Sequence, residues 1–185
     1  CFITGASRGL GKSITIGFAQ NFKDKLEGSE AGPEIGSQEA QLSFVLLSRD
    51  IVSLQDVSKQ IHEIDPNIKV VDVIQGSLDD PMTIASFAKT CQTISLASDY
   101  NQVVLVHNAG SLGDINILTS QFDPDSTEMI HSYFEINLFS VMKMTGVFLN
   151  AFNHVPHQFI INISSLAAQK PFKGLSLYCT GILGY

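Results

Sequence analysis

Cysteine, basic residues and long apolar runs are all scarce in this sequence. The three cysteines, Cys1, Cys91 and Cys179, fit neither a metal site nor a redox motif, and their odd number argues against a disulfide framework. With 11 Lys and Arg against 18 Asp and Glu, the net charge is −7. The sequence has no cluster of basic residues that could bind the phosphates of a nucleic acid. No apolar run reaches the length of a membrane span, and no secretory signal is present. These absences favour a cytoplasmic protein without a metal, a nucleic-acid partner or a membrane partner.

The composition predicts a packed globular domain. The 185 residues are 44% hydrophobic and 16% charged, which favours a core over disorder. This length fits a single domain spanning 1–185. A charged, glycine-rich stretch at about 23–41 contains Pro33 and is predicted to be a surface insertion.

Strand and helix patterns alternate along the chain. Apolar runs predict strands at 1–4, 42–48, 68–74, 102–110 and 158–164, and helical spacing predicts helices at 9–22, 51–64, 80–94 and 125–152. This alternation predicts an α/β fold, a doubly wound parallel sheet of Rossmann-like type. The continuous apolar runs predict strands buried on both faces. Ligands of such folds bind at the carboxyl ends of the strands.

Two helices have a clear apolar stripe. In the first, the spacing places Leu10, Ile14, Phe18 and Phe22 on one side of the helix. In the second, Ile51, Leu54, Val57, Ile61 and Ile64 form the stripe. The helix at 80–94 has Pro81 in its first turn, where a missing N–H is harmless. The motif at 125–128 resembles a capping box that opens the long helix ending near Phe152.

A glycine-rich turn, TGASRGLG at 4–11, joins the first strand to the first helix. Gly5 permits a tight turn, Gly9 allows the backbone to approach a pyrophosphate, and Gly11 allows close packing of the helix on the strand. The helix N-terminus offers N–H groups and a partial positive charge to an anion. A turn without a ligand is the alternative, but the strand–turn–helix context favours a dinucleotide.

The end of the second strand predicts which dinucleotide is bound. An acidic residue there favours NAD, whereas a nearby arginine accommodates the 2′-phosphate of NADP. The sequence has Arg49 followed by Asp50, and Arg8 in the glycine turn is a second cation. Because a guanidinium binds phosphate in a fork geometry, the two arginines favour NADP(H). A solvated helix-start arginine is the alternative for Arg49.

Two further motifs follow the fourth and fifth strands. HNAG at 107–110 ends the fourth strand, and NISS at 162–165 ends the fifth. Tyr178 comes 13 residues after Ser165. Either residue alone is commonly a cap or a packed side chain. Because both follow strands whose ends meet at one edge, we interpret them together as a proton-donating pair.

TGxxxGxG, NAG and a serine and tyrosine at this spacing resemble the short-chain dehydrogenase/reductase family. NAGSLGD at 108–114 and SSLAAQKPFKGLSLYCTG at 164–181 are similar to the branch that reduces side-chain ketones of pterins with NADPH. This resemblance implies that Tyr178 is the general acid, that Ser165 binds the substrate carbonyl beside Leu166, and that Asn137 supports a proton relay. It also implies a cofactor site formed by Gly5, Ala6, Ser7, Arg8, Gly9, Leu10, Gly11, Arg49, Asp50, Ser77, Leu78, Asn108, Ala109 and Gly110.

Three positions depart from the family pattern. Ser77–Leu78 stands where the family commonly has Asp before an apolar residue that contacts adenine, and His107 stands where Asn is common. Ile182 replaces the lysine that binds the nicotinamide ribose and lowers the pKa of the tyrosine. Isoleucine does neither, so we expect weak catalysis by this chain.

The resemblance also bears on completeness and assembly. The first residue is not Met, and the similarity stops after Gly181, so we expect the chain to be incomplete at both ends and to lack the last strands and helices of the family fold. The resemblance implies a homodimer for the full-length protein. Three interpretations stay open: an NADPH-dependent reductase of pterin ketones, a reductase of other carbonyl compounds, and a truncated or non-catalytic nucleotide-binding chain.

Overall fold

The computed structural model describes residues 1–28, 40–97, 99–115, 118–123, 125 and 127–183. The chain divides into two compact units, residues 1–75 and 76–185. Most of the predicted insertion at 23–41 lies outside the described residues, as does Ser126 of the predicted capping box. The single-domain organisation stays a prediction.

The described residues of unit 1 form three parallel strands and two helices. Its elements are β1 (Phe2–Thr4), α1 (Gly9–Glu27), β2 (Ser43–Ser48), α2 (Ile51–Ile64) and β3 (Lys69–Gln75). The strand order is β3-β2-β1, with Phe2 opposite Val45 and Ser43 opposite Lys69. The buried run Phe44–Leu47 forms the centre of this layer, in agreement with the apolar pattern of a parallel strand.

The two helices of unit 1 differ in how well their sequence predicts their buried face. In α2, Leu54, Val57 and Ile61 are buried as predicted. In α1 the apolar side does not mark the buried face, because Leu10 is 56% exposed and Phe18 is also exposed. The buried positions of α1 are instead Gly11, Thr15 and Ala19. These small residues let α1 lie close to α2 and β1, which it contacts, and a close approach outweighs the burial of larger side chains.

Unit 2 contains two parallel strands and the remaining helices. Its regular elements are α3 (Pro81–Ala97), β4 (Gln102–His107), α4 (Thr127–Phe134), α5 (Ser140–Ala151), β5 (His157–Asn162) and α6 (Ser176–Leu183). Short 3₁₀ turns lie at Thr119–Gln121 and Leu166–Ala168. Gln102 pairs with His157 and His107 with Asn162. Helix α5 packs against both α3 and β4.

Strand β5 departs from the prediction that every strand is buried on both faces. β4 is buried from Val103 to His107, but Phe159 and Ile161 of β5 are exposed. β5 is an edge strand, and its apolar side chains alternate between an exposed and a half-buried face. The apolar run therefore predicted the strand correctly and its burial wrongly.

The predicted long helix at 125–152 is interrupted by a π-helical turn at Glu135–Phe139. The backbone N–H of Ser140 donates to the carbonyl of Glu135, five residues earlier. Two backbone carbonyls here accept hydrogen bonds from side chains. The amide of Asn137 donates to Tyr133 O (3.0 Å), and the hydroxyl of Ser140 donates to Ile136 O (2.8 Å). Such turns occur frequently at functional sites, and this one contains Asn137.

These units confirm the predicted α/β class with parallel strands. Strand and helix alternate through both units, and the pairs β1–β2, β2–β3 and β4–β5 are all parallel. Among the helices that the structure describes, none is both long enough and apolar enough to cross a membrane.

His107 is a buried polar residue at the carboxyl end of β4. Its side chain is 3% exposed, and its Nε2 lies 2.9 Å from the hydroxyl of Thr145 on α5. Its Nδ1 has no hydrogen-bond partner among the described residues. Burial disfavours the charged imidazolium and lowers the pKa of His107 from 6.5 to about 4. The folded chain therefore holds this imidazole neutral at neutral pH.

We predict an acid-sensitive stability that depends on His107. Between pH 6.5 and about 4 the unfolded chain binds a proton here that the folded chain does not. Above pH 6.5 the imidazole is neutral in both the folded and the unfolded chain, so it does not change the free energy of unfolding. From pH 6.5 down to about 4 it lowers that free energy by about 1.4 kcal/mol per pH unit, about 3 kcal/mol in all. His107→Gln should remove this part of the pH dependence, measured by urea unfolding at a series of pH values.

The exposed His62 on α2 supplies the control. His62→Gln should leave the pH dependence of unfolding as it is in the parent chain. If His107→Gln and the parent lose stability equally between pH 6.5 and 4, the burial of a neutral imidazole is not the cause.

Candidate active site

Asn137 joins three segments of unit 2 through its side chain. The residue is 1% exposed and lies inside the π-helical turn. Its Oδ1 accepts from the backbone N–H of Ser111 (2.8 Å), just after the NAG turn, while its Nδ2 donates to Tyr133 O. A Cβ atom at Gly110 would lie 3.1 Å from Asn137 Oδ1, so glycine permits this close approach. Asn137 thus holds the turn after β4 against the helix, while its relay role stays a prediction.

Ser165 lies at the start of the 3₁₀ turn Leu166–Ala168. Its Oγ accepts from the backbone N–H of Ala167 (3.2 Å), and its side chain is half-buried. Because the oxygen serves as the acceptor, the hydroxyl hydrogen can be donated to a carbonyl oxygen. The backbone N–H of Ile163 donates to His107 O (2.9 Å), which holds the loop before Ser165 beside the end of β4. Leu166 is exposed and half-buried Ala168 completes the turn.

Tyr178 is the third residue of α6 and is half-buried. Helix α6 contacts the 3₁₀ turn that Ser165 caps, the π-helical turn that contains Asn137, and α4. The structure therefore brings together the three elements that carry Ser165, Asn137 and Tyr178. The positions after the strands predicted this grouping for Ser165 and Tyr178, whereas Asn137 was implied by the family resemblance alone. Their catalytic roles stay predictions.

Ile182, at the position of the family lysine, is 6% exposed. It lies one helical turn after Tyr178, and its apolar side chain belongs to the buried set of unit 2. A lysine ammonium at such a depth is disfavoured unless the site offers it a partner or a path to solvent. The residue that replaces the expected cation is therefore used for packing.

The glycine turn of unit 1 has the conformation that an anion site needs. Gly5 (φ 67°) and Gly9 (φ 54°) both adopt the left-handed region that favours glycine. A Cβ at Gly9 would meet nothing within 4 Å, so its glycine is required by conformation alone. Helix α1 begins at Gly9 without a side-chain cap and without an acidic residue in its first turn. Its first N–H groups can donate hydrogen bonds to an anion, and the positive end of its dipole attracts negative charge.

The other residues of the turn have distinct environments. Ala6 is fully buried, and its N–H donates to Leu47 O (3.2 Å), which fixes the turn beside β2. Ser7 is half-buried, whereas Arg8 and Leu10 are exposed and Gly11 is buried. The buried Gly11 agrees with its predicted role in close packing.

The predicted 2′-phosphate site lies at the start of α2. Arg49 and Arg8 are both exposed. Asp50 caps α2, accepting from the N–H (3.1 Å) and the hydroxyl (2.6 Å) of Ser53. These bonds to Ser53, with a smaller contribution from the nearby positive charge of Arg8, lower the pKa of Asp50. The structure thus brings Arg8 near Asp50, whose carboxylate is already bonded within its own helix.

The remaining predicted cofactor residues lie in unit 2. Leu78 is buried, so its side chain packs within the protein, while Ser77 is half-buried and its carbonyl accepts from Asp80 N–H (3.1 Å). Asn108 and Ala109 are half-buried, and Gly110 is exposed beside Asn137. Their contacts with a nucleotide stay predictions. Within the described residues, no group of three or more His, Cys, Asp or Glu could hold a metal ion.

Sequence comparison adds the decisive observation. The family model for short chain dehydrogenases matches residues 38–181, more than half of the chain. The chain belongs to the short-chain dehydrogenase family. The predicted resemblance is thereby confirmed at the level of the family.

Two relatives and one crystal structure show how similar individual proteins are to this chain. Sepiapterin reductase of Meriones unguiculatus is 28% identical over 184 residues, which cover 98% of this chain and 63% of the relative. Benzil reductase of Bacillus subtilis is 24% identical over 186 residues, 98% of this chain and 61% of the relative. The crystal structure of a metagenomic short-chain oxidoreductase in complex with NADP has a TM-score of 0.74 at 24% identity, covering 100% of this chain and 70% of that one.

Two facts follow from these comparisons. The structural likeness confirms the Rossmann-like, doubly wound fold of the short-chain dehydrogenases. The chain spans about 63% of the length of the sepiapterin reductase that it matches.

Sequence reasoning missed the residues that support the site. Tyr133 and Ser111 hold the side chain of Asn137, and Thr145 bonds to His107. Tyr133 precedes Asn137 by four residues, so helical spacing alone could have placed them on one face. No comparable signal links Thr145 to His107, because their bond joins a helix to a strand 38 residues away.

Proposed function

We propose that this protein is an NADPH-dependent carbonyl reductase whose substrate is the side-chain ketone of sepiapterin or a related pterin. The observation that carries this proposal is the packing of α6, with Tyr178, against the turn capped by Ser165 and the turn containing Asn137. In a short-chain dehydrogenase, a serine that donates to a carbonyl and a tyrosine that donates a proton support ketone reduction. The match to sepiapterin reductases suggests the pterin.

The nucleotide would be held by the turn of unit 1. Uncapped N–H groups at the start of α1 and the positive-φ glycines Gly5 and Gly9 suit a pyrophosphate. Asp50 would favour NADH if its carboxylate met the ribose, but it is bonded to Ser53. Arg8 and Arg49 remain exposed, which favours the extra phosphate of NADPH. The bound nucleotide supplies the hydride, and the residues of this chain orient the ketone and supply the proton.

Ile182 bears on how well this chain could catalyse. It offers no cation to lower the pKa of a neighbouring tyrosine or to bind a ribose hydroxyl. Proton donation from Tyr178 would then depend on the helix and the solvent alone. We therefore propose that the 185-residue chain is a weak catalyst or only binds the nucleotide, and that strong activity belongs to a chain with lysine at this position and the full length of its relatives.

A second candidate substrate is a ketone flanked by apolar groups. Exposed apolar side chains line the loop after the NAG turn and the loop after Ser165, namely Leu112, Ile115, Leu118, Leu166 and Phe172. The two loops meet where Thr119 Oγ1 donates to Ser176 Oγ (2.6 Å). Such side chains favour an apolar substrate, and the similarity to benzil reductase fits this candidate.

The proposed full-length protein is a homodimer, and α5 offers a surface for it. Met142 is 64% exposed, Leu149 two turns later is also exposed, and so is Phe139 at the end of the preceding π-helical turn. Gly146 lies between them, so a second helix could approach closely at this position. A cytoplasmic location, favoured by the cysteine usage, likewise stays a proposal.

Arg49 is predicted to favour the binding of NADPH over NADH. Arg49→Ala should weaken NADPH binding by about 1.5–3 kcal/mol, or about 10- to 150-fold, because a charge-assisted phosphate contact is lost. NADH binding should change little, since NADH lacks that phosphate. Titration calorimetry with both nucleotides measures the difference. Lys59→Ala, at an exposed position of α2, is the matched control; equal losses for both nucleotides in Arg49→Ala contradict the assignment.

The second prediction concerns catalysis and is measured as NADPH oxidation with sepiapterin. The 185-residue chain should show little turnover, and Ile182→Lys alone should not restore it, because the pocket would stay open to water and the substrate would not be held without the part of the relatives that this chain does not span. A chain continued from Gly181 as in the relatives, with lysine at 182, should be active. In that protein Tyr178→Phe should abolish most turnover while NADPH still binds.

The same assay separates the candidate functions. Preferential reduction of benzil would favour the apolar-ketone reductase over the pterin reductase. Nucleotide binding without turnover of either ketone by the continued chain would favour a non-catalytic protein. Rapid turnover by the 185-residue chain would show that Ile182 is compatible with catalysis.

The third prediction concerns assembly. If α5 forms the dimer contact, Met142→Lys should shift the chain toward monomer, because a charge would be buried against apolar side chains. Sedimentation equilibrium measures the change. Leu96→Lys, at an exposed apolar position of α3, should leave the association state unchanged. The comparison is made in a protein of the relatives' full length, and a full-length parent that is monomeric throughout the concentration range would argue against this surface.

A further inference from the structure

The ring of Tyr133 lies between two glycines of unit 2. A Cβ at Gly113 (φ 70°) would lie 3.0 Å from Tyr133 Cδ2 and 3.3 Å from Cε2. A Cβ at Gly181 would lie 2.9 Å from Cε1 and 3.0 Å from the phenol oxygen. Opposite edges of one ring therefore face the loop after β4 and helix α6. Both neighbours approach closely only because they lack a side chain.

This ring has little room to move aside. Tyr133 is 4% exposed, and the ring of Phe134 packs against it edge-on, with centroids 5.5 Å apart. Contacts below 3.0 Å between a Cβ and an aromatic carbon are not tolerated, so a larger residue at 181 must displace either the ring or the helix. The flanking Gly113 loop obstructs the ring, which leaves α6 as the element that would move.

The backbone carbonyl of Tyr133 is linked through Asn137 to the turn after β4. Its carbonyl accepts from Asn137 Nδ2 (3.0 Å), and Asn137 Oδ1 accepts from Ser111 N–H (2.8 Å). One residue thus contacts α6 through its ring and supports the turn after β4 through its carbonyl. Gly181 follows Tyr178 by three residues, about 4.5 Å along the helix axis. A displacement of α6 at Gly181 would move Tyr178 as well.

We propose that Tyr133 is a positioning residue that sets the distance between α6 and α4 and thereby the position of Tyr178. The inference rests on the proposed reductase function for its catalytic meaning. The claim that the fit of the Tyr133 ring against Gly181 determines where α6 lies does not depend on the substrate or on the nucleotide. The tests below therefore use readouts that do not require turnover.

The first test substitutes Gly181→Ala in the 185-residue chain. Hydrogen exchange of the α6 amides, 176–183, should speed up by about tenfold or more, whereas exchange in α3, 81–97, should change by less than about twofold. Gly17→Ala in α1 is the matched control, because a Cβ at Gly17 meets nothing within 4 Å. It should leave α6 unchanged. Equal protection of α6 in both variants would overturn the proposal.

The second test separates positioning from simple core filling. Tyr133→Phe keeps the ring and should keep α6 protected, whereas Tyr133→Leu should loosen α6 without loosening α3. Adding Gly181→Ala to Tyr133→Leu should cause little further loss, because the clash has been removed. Additive effects, or equal loosening of α3 and α6, would show that Tyr133 only fills the core. This comparison also decides the case if Gly181→Ala alone does not fold.

A spectroscopic readout reports on Tyr178 itself. In chain labelled with 3-fluorotyrosine, the resonance of Tyr178, assigned through Tyr178→Phe, should shift in Gly181→Ala and not in Gly17→Ala. An unshifted resonance in Gly181→Ala would overturn the proposed link between ring and tyrosine. NADPH titration of the same samples keeps the two proposals apart. Absent NADPH binding by the parent chain counts against the reductase function and leaves the positioning result intact.

Discussion

The two hydrogen bonds of the Asn137 side chain are the constraint on which the candidate catalytic region depends. One bond holds Ser111 after the NAG turn, and the other takes the carbonyl of Tyr133 that a regular helix would give to a backbone N–H. Asn137 is almost fully buried, so either group left unpaired would bear the full cost of desolvation. The π-helical turn, the position of the loop and the orientation of the Tyr133 ring therefore belong to one connected arrangement.

The two units contribute different physical properties. Unit 1 offers an anion a helix N-terminus, two positive-φ glycines and exposed arginines, which together attract negative charge. Unit 2 offers hydroxyl groups on Ser165 and Tyr178 beside buried polar supports. The proposal of a reductase rather than a nucleotide-binding protein alone rests on unit 2, where α6 with Tyr178 packs against the turn capped by Ser165 and the turn containing Asn137.

Two positions that depart from the family pattern, His107 and Ile182, hold buried side chains. His107 is kept neutral by burial and bonds to Thr145, so it joins β4 to α5 without carrying a charge. Ile182 packs inside unit 2 where a cation was expected. Both side chains therefore contribute to the packing of unit 2.

The sequence by itself determined the order of strands and helices, the glycine turn and the pairing of Ser165 with Tyr178, while Asn137 was implied only by the family resemblance. These features rest on local periodicity and on the rule that parallel strands end at one edge; α2 even has its predicted bounds, 51–64. Only the tertiary structure decided that Thr15 and Ala19, rather than Leu10 and Phe18, face inward from α1. It also decided the π-helical turn, the exposed face of β5 and the fit of Tyr133 against Gly181. Each of these depends on contacts between residues distant in sequence or on the absence of a covering neighbour, and local patterns of hydrophobicity contain no information about either.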